Sequence, residues 1–290
     1  MTCLTKTTIS FALAMLISSN GYVLGLDTDY HPFVEEGKTW VVEEQTYFVF
    51  GIECYTIKGD TVIAGQQCKK LIHERFSIDS GKKETTMLGL FEKDKRVYCF
   101  PANSEAPVLL YDFGAKPGDL LTLASIDFES SCSQDYTVQE NITGEFNNNI
   151  FNGLYATHNE YLNKEYDFPY IWYEGFGSIY SPLFKVSELS AGNPILRECY
   201  VGNDVLYERT GYFEADGDIN NDFSYNVGDV SDLYGFLVGP KHELLRFKSM
   251  RHHTDLNGDD EVNVGDISTL YDAILNDKQP SGMTEKRGTG

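Results

Sequence analysis

The chain has 290 residues, of which 41% are hydrophobic, enough for one sizeable core and a small appended unit. Its 44 Asp and Glu against 23 Lys and Arg give a formal net charge of -21, which disfavours nucleic acid and anionic membrane surfaces as partners and favours cations. With 26 Gly, 19 Tyr and 18 Phe and few long apolar helical stripes, the composition leans toward β structure.

Residues 1–25 read as an export signal. Lys6 gives a weakly positive start, and Ile9 to Ile17 is an uncharged, mostly apolar run too short to cross a bilayer as a mature helix. Polar Ser18-Ser19-Asn20 follows, and cleavage after Gly21 or after Gly25 fits equally. No later segment is apolar over the ~20 residues a membrane helix needs. The expectation is a secreted or cell-surface protein with no transmembrane segment. Beyond the signal lie Cys54, Cys68, Cys99, Cys132 and Cys199. Their odd number and spacing suit neither a complete internal disulfide set nor a zinc site nor a Cys-x-x-Cys pair. They are expected to be small buried apolar residues rather than disulfides.

Residues 26–210 read as antiparallel β. Apolar and aromatic runs recur at Tyr47-Phe48-Val49-Phe50, Val97 to Phe100, Val108 to Tyr111 and Tyr170 to Tyr173. Turn signals fall at Lys58-Gly59-Asp60, Lys93-Asp94-Lys95, Lys116 to Asp119, Glu174 to Gly177 and Val201 to Asp204, and Asn147-Asn148-Asn149 marks a polar loop. A sandwich or barrel follows. The order of elements resembles a group of uncharacterised secreted proteins of anaerobic Gram-negative bacteria. The residues that carry this are Lys58 to Gly65, Leu110 to Gly114 with Pro117 to Asp119, and Trp172 to Ser178. The resemblance implies export and a β fold, and no known activity.

Chemistry is sparse in this region. There is no Gly-x-Ser-x-Gly elbow, no His-Glu-x-x-His and no phosphate-binding glycine loop. Asp167 and Glu174 flank an aromatic cluster, but carboxylates this close in sequence are expected to be turn and strand-end residues rather than a glycosidase pair. Trp172 and Tyr170 could stack on a glycan, though burial in a core is the commoner role. A non-catalytic domain is expected. The alternative is a glycoside hydrolase component or a carbohydrate-binding module.

The most informative segment spans residues 211–277. Asp218 to Val238 and Asp255 to Leu275 align without gaps at an offset of 37 residues, with ten of 21 positions identical. In each copy oxygen-bearing side chains stand at loop positions 1, 3, 5 and 12: Asp218, Asn220, Asp222 and Asp229, then Asp255, Asn257, Asp259 and Asp266. Position 7, which ligates through its carbonyl, is Ser224 or Glu261, and position 9 is Asn226 or Asn263. An all-oxygen set of this size selects calcium over zinc or copper. Two calcium sites are expected, the second tighter. The turn at position 6 wants a left-handed residue, which Asp260 tolerates and Phe223 does not. After each loop, Val230, Leu233, Tyr234, Leu237 and Val238, or Ile267, Leu270, Tyr271, Ile274 and Leu275, repeat at helical spacing.

This pair resembles a type I dockerin module over about Asp216 to Asn276. The resemblance implies a compact three-helix fold, two calcium ions and a cohesin-like partner, with Lys241 to Met250 as the middle helix. Many dockerins present a Ser-Thr pair at loop positions 10 and 11; here the candidate partner contacts are Val227-Gly228 and Val264-Gly265. The chain's own β domain is a second candidate partner for the module, and a glycan a candidate ligand of the β domain. His252 and His253 read as solvated linker residues, since imidazole is a poor calcium ligand. Residues 278–290 read as a polar disordered tail.

Overall fold

In the computed structural model the described residues are 30–45, 50–78, 80–126, 131–158, 170–183, 194–209, 217–220, 222 and 224–276. The signal-like segment, the tail, Tyr47-Phe48-Val49, Asp167 and Phe223 lie outside them.

The strands in chain order are β1 Lys38–Gln45, β2 Phe50–Ile63, β3 Gln66–Ser77, β4 Lys83–Lys93, β5 Arg96–Phe100, β6 Val108–Asp112 and β7 Leu120–Ile126. They continue with β8 Ser131–Phe146, β9 Asn149–His158, β10 Tyr170–Tyr173, β11 Gly177–Ser178, β12 Pro194–Val201 and β13 Asp204–Glu208. The helices are α1 Val227–Val238, α2 Lys248–Thr254 and α3 Val264–Leu275, with a short 3-10 turn at His242–Arg246 before α2. The expected class holds: a mainly antiparallel β domain followed by a small helical part.

The strands form an eight-stranded sheet ordered β13-β12-β1-β2-β3-β4-β5-β6 and a five-stranded sheet ordered β11-β10-β9-β8-β7. Hairpins follow local turn chemistry. Asp94 (φ +52) with Lys95 (φ +62), and Asn147 (φ +47) with Asn148 (φ +64), supply the two left-handed positions a tight hairpin needs. Lys58-Gly59-Asp60 corrects an expectation: it is a register shift inside β2, not a turn. Gly59 has φ +78 there, because a bulge makes the same backbone demand as a turn. The chain reverses instead at Ala64-Gly65, between β2 and β3.

Trp40 and Val42 of β1, Tyr55 and Ile57 of β2 and Leu71 of β3 meet Tyr136, Val138, Leu154, Ala156 and Trp172 of the smaller sheet in one cluster. Polar anchors fix the seam. Trp40 Nε1 donates to the Phe176 carbonyl at 3.0 Å. The buried Lys38 ammonium donates to the Gly175 carbonyl at 2.8 Å and also to that of Pro32. The opposite face of β1–β3 is apolar too: Val41, Ile52, Cys54, Phe76 and Ile78 form a second cluster with helical residues. Buried on both faces, these strands lose the in–out alternation of a half-exposed strand. Among the described residues no helix is long and apolar enough to cross a membrane.

Candidate calcium loops and docking face

Each repeat turns its loop into a helix by the same device. Asn226 and Asn263 are N-caps in extended backbone, and each accepts from the amide two residues on, Gly228 or Gly265, at 2.7 Å. The position-12 acid reaches back. Asp229 Oδ2 and Asp266 Oδ2 accept from the Asn226 and Asn263 amides at 2.8 Å, completing a capping box in each copy. Such a cap stabilises a helix start by about 1 kcal/mol. The other oxygen, Oδ1, accepts from Ile219 (2.9 Å) and Asn220 (3.3 Å) in the first copy, and from Leu256 (2.8 Å) and Asn257 (3.3 Å) in the second. Both acids are fully buried. Burial pushes the Asp229 carboxyl above its ordinary range, against the pull of those backbone amides.

The remaining donors gather at the loop tip. In the second copy, Asp255 Oδ1 and Asn257 Oδ1 both face the Asp259 amide, at 3.1 and 3.0 Å. Asp255 also accepts from the Gly258 (2.8 Å) and Asp260 (2.9 Å) amides. The turn at position 6 is left-handed as expected, with Asp260 at φ +65. The Glu261 amide donates to Asp259 at 2.9 Å. The first copy repeats the pattern: Asp222 N donates to Asp218 and Asn220 at 3.0 and 3.1 Å, and Ser224 N to Asp222 at 2.8 Å. Positions 1, 3 and 5 are thus brought together, while position 12 is turned onto the backbone of the same loop. Among the described residues no three of His, Cys, Asp or Glu are grouped as a ready metal cage. The donor chemistry is nonetheless all oxygen, and the loop closes on itself around those oxygens, which fits a hard cation.

The helices depart from the expected inward stripe. Leu233 and Phe236 of α1 and Leu270 and Ala273 of α3 are buried. Tyr234, Val238, Tyr271 and Leu275 are not: they are 58%, 66%, 50% and 67% exposed, with Val227 and Val264 at 64% and 69%. The reason is that each helix touches the core along a narrow line, and Phe236 and Ala273 take places assigned to the tyrosines. The exposed residues are spaced by seven and four, hence share one face of each helix. Each repeat therefore presents the same Val–Tyr–aliphatic stripe to solvent. Gly228 and Gly265 have a separate structural reason. A Cβ at either would sit 3.0 Å from the capping Asn oxygen.

The middle segment also departs from expectation. It is not one helix over Lys241 to Met250 but the 3-10 turn and α2, broken at Phe247 (φ -85, ψ 132). The break lets Phe247 drop edge-on against Phe76 of β3, ring centroids 5.4 Å apart. Arg246 lies between them, its guanidinium 4.9 Å from the Phe76 ring and 2.9 Å from Glu74. Lys83 of β4 pairs with both Glu74 (3.3 Å) and Glu243 (3.2 Å), and Lys248 with Glu208. His253 is buried in α2 rather than solvated, while His252 is exposed. This sheet-facing set was missed in the sequence. Its signal was the unalternating Trp40-Val41-Val42, which marks a strand covered on both sides.

In the β domain, Trp172 is core, 1% exposed and edge-on to Tyr136 at 5.3 Å, so it is not a surface for sugar stacking. Glu174 is buried, and its Oε1 accepts from Asn152 Nδ2 at 2.8 Å. Cys54, Cys68, Cys99, Cys132 and Cys199 are free thiols, buried apart from Cys132.

No family model matches the chain. No curated protein is similar to it at a significant level. Among solved structures, it is similar to a candidate lipoprotein of Parabacteroides distasonis at 12% identity and a TM-score of 0.27. The match covers 62% of this chain and 94% of the other, a likeness too loose to carry function from one to the other.

Proposed function

We propose that the chain is an exported, non-catalytic protein whose helical part binds calcium in its two loops and presents α1 and α3 to a cohesin-like module. The observation that supports this reading is the duplication itself: two loops with matching hydrogen-bond networks, each leading into a helix with the same exposed Val–Tyr–aliphatic stripe. Asp255, Asn257, Asp259 and Asp266, with the Glu261 carbonyl, would hold one ion. Asp218, Asn220, Asp222 and Asp229, with the Ser224 carbonyl, would hold the other. Calcium supplies positive charge that offsets the carboxylates crowded into each loop. The residues of the chain do the rest: the Asn caps fix the loop-to-helix turn, and the stripes supply an apolar docking face.

A second reading has its own support. Phe247, Met250, Leu244 and Phe236 share a cluster with Val41, Ile52 and Phe76, so the helical part docks on its own β domain. Calcium would then stabilise the chain without a partner. The readings separate in one experiment on the full-length protein. Under the first, Tyr234→Ala with Tyr271→Ala removes calcium-dependent capture of a cohesin-like module while the calcium-induced rise in melting temperature persists. Retention of full capture in the double variant, or no rise with calcium at all, sinks the first reading.

A further inference from the structure

We infer that the β domain carries a binding pocket for a single neutral sugar ring, at the open end between its two sheets and far along the chain from the calcium loops. The cavity is ≈ 330 Å³, at the lower end of the ~300–1,000 Å³ range of small-molecule sites, a size for one ring rather than a polymer. Its walls come from four places. Lys95 is on the β4–β5 turn, Phe113 follows β6, and Asn141, Thr143 and Asn152 lie on β8 and β9, with Glu174 just after β10.

The chemistry is that of polyhydroxyl recognition. Glu174 is 2% exposed, yet it lines the cavity. Its carboxyl is aimed by Asn152, whose amide donates to Oε1 at 2.8 Å, and its own amide donates to the Asn152 carbonyl at 2.9 Å. A carboxyl fixed in this way accepts from adjacent hydroxyls. The neighbouring Asn and Thr side chains both donate and accept, matching a hydroxyl's dual character. Phe113, stacked on Tyr111 with centroids 5.3 Å apart, offers an aromatic wall to the C–H face of a ring. Lys95 is steadied at the rim, its ammonium 4.8 Å from the Tyr30 ring centre. One acidic and one basic side chain line the cavity, in a chain of net charge -21. That local balance favours an uncharged ligand over a cation. Among the described lining residues Glu174 is the one acid, and the inference concerns binding alone.

A Cβ at Gly153, which lines the cavity, would sit 2.6 Å from the Trp172 carbonyl and 2.8 Å from the Tyr173 ring, so β9 and β10 approach closely there.

The test is saturation-transfer NMR on the full-length protein with glucose, galactose, mannose and N-acetylglucosamine at millimolar concentration, and ethanolamine as a cationic control. At least one sugar is expected to receive saturation. Glu174→Gln should weaken that sugar about tenfold or more, the loss of a charge-assisted hydrogen bond. Thr143→Trp, on the exposed rim, should abolish the transfer while leaving the melting temperature unchanged. It keeps the test decisive if the buried Glu174 variant does not fold. The inference is overturned if no sugar receives saturation, if transfer survives Thr143→Trp at wild-type strength, or if ethanolamine is the probe that binds.

Discussion

The large sheet has two faces, and they are covered in different ways. Toward the smaller sheet, Trp40, Tyr55, Leu71 and Trp172 interlock in a β-on-β core with the Trp40 indole hydrogen-bonded across the seam. On the outer face, Val41, Ile52 and Phe76 meet a helical part that brings only short elements, and much of the contact is ringed by charge: Arg246, Lys83, Lys248 and their acids. The first face is an apolar core between layers, and the second resembles a docked interface with an apolar centre and a polar rim. The difference teaches that a module with its own repeat can still be part of its neighbour's fold.

Several measurements bear on that contrast. The largest effect is expected from Trp40→Ala, about 3–5 kcal/mol of lost stability read by chemical denaturation, with the whole chain unfolding earlier. A loss below ~1 kcal/mol would mean the inter-sheet core is not the dominant one. Phe247→Ala should cost about 3 kcal/mol locally. Its signature is faster hydrogen exchange in α1 and α3 with β8–β10 protected as before. Uniform loss of protection would instead merge the two cores into one cooperative unit. Calcium at a hundredfold excess over its dissociation constant should add about 2.7 kcal/mol per site. Asp266→Ala should remove more of the calcium-induced rise in melting temperature than Asp229→Ala, because the first loop carries Phe223 at position 6. Equal losses would show the loops to be equivalent despite that residue.

The smallest effect is the pH response of the rim. Burial raises the Glu74 carboxyl, but Arg246 and Lys83 outweigh it and hold the group below its ordinary range. A carboxyl depressed in the folded state contributes stability above its unfolded pKa and loses it as pH falls through the folded value. Melting between about pH 6 and about pH 3 should therefore show a Glu74-dependent loss that Glu74→Gln flattens. For so exposed a pair it should be under ~1 kcal/mol.

Much of this was legible in the residues. The β class followed from aromatic runs and turn signals, and Asp94 and Asn147-Asn148 turn where side chains that tolerate left-handed backbone are found. Gly59 misled, because a glycine's positive φ does not say whether the chain reverses or merely bulges. The loop donors at positions 1, 3 and 5 converge as their spacing implies, and Asp260 adopts the conformation position 6 demands. Asp229 and Asp266 cap amides from helix starts, as a carboxylate placed there can, while the spacing alone does not say that the second oxygen also turns onto the loop backbone. Periodicity marks an apolar face on each helix but not its width: Tyr234 and Tyr271 share the helical spacing and stand in solvent. The pocket was least visible. Its walls come from segments that only the pairing of β8 with β9 and the closure of two sheets bring together.

The double coverage of β1–β3 has a consequence for how the chain can be cut or made. Val41, Ile52, Phe76 and Ile78 lie early in the sequence, and the residues that cover them begin at Ile219. A chain ended before residue 217 would keep every strand of both sheets and expose one contiguous apolar face. Such a face is the kind of surface on which molecules self-associate. The residues that complete this side of the large sheet therefore come from the last quarter of the sequence, so the strand order alone does not finish the fold.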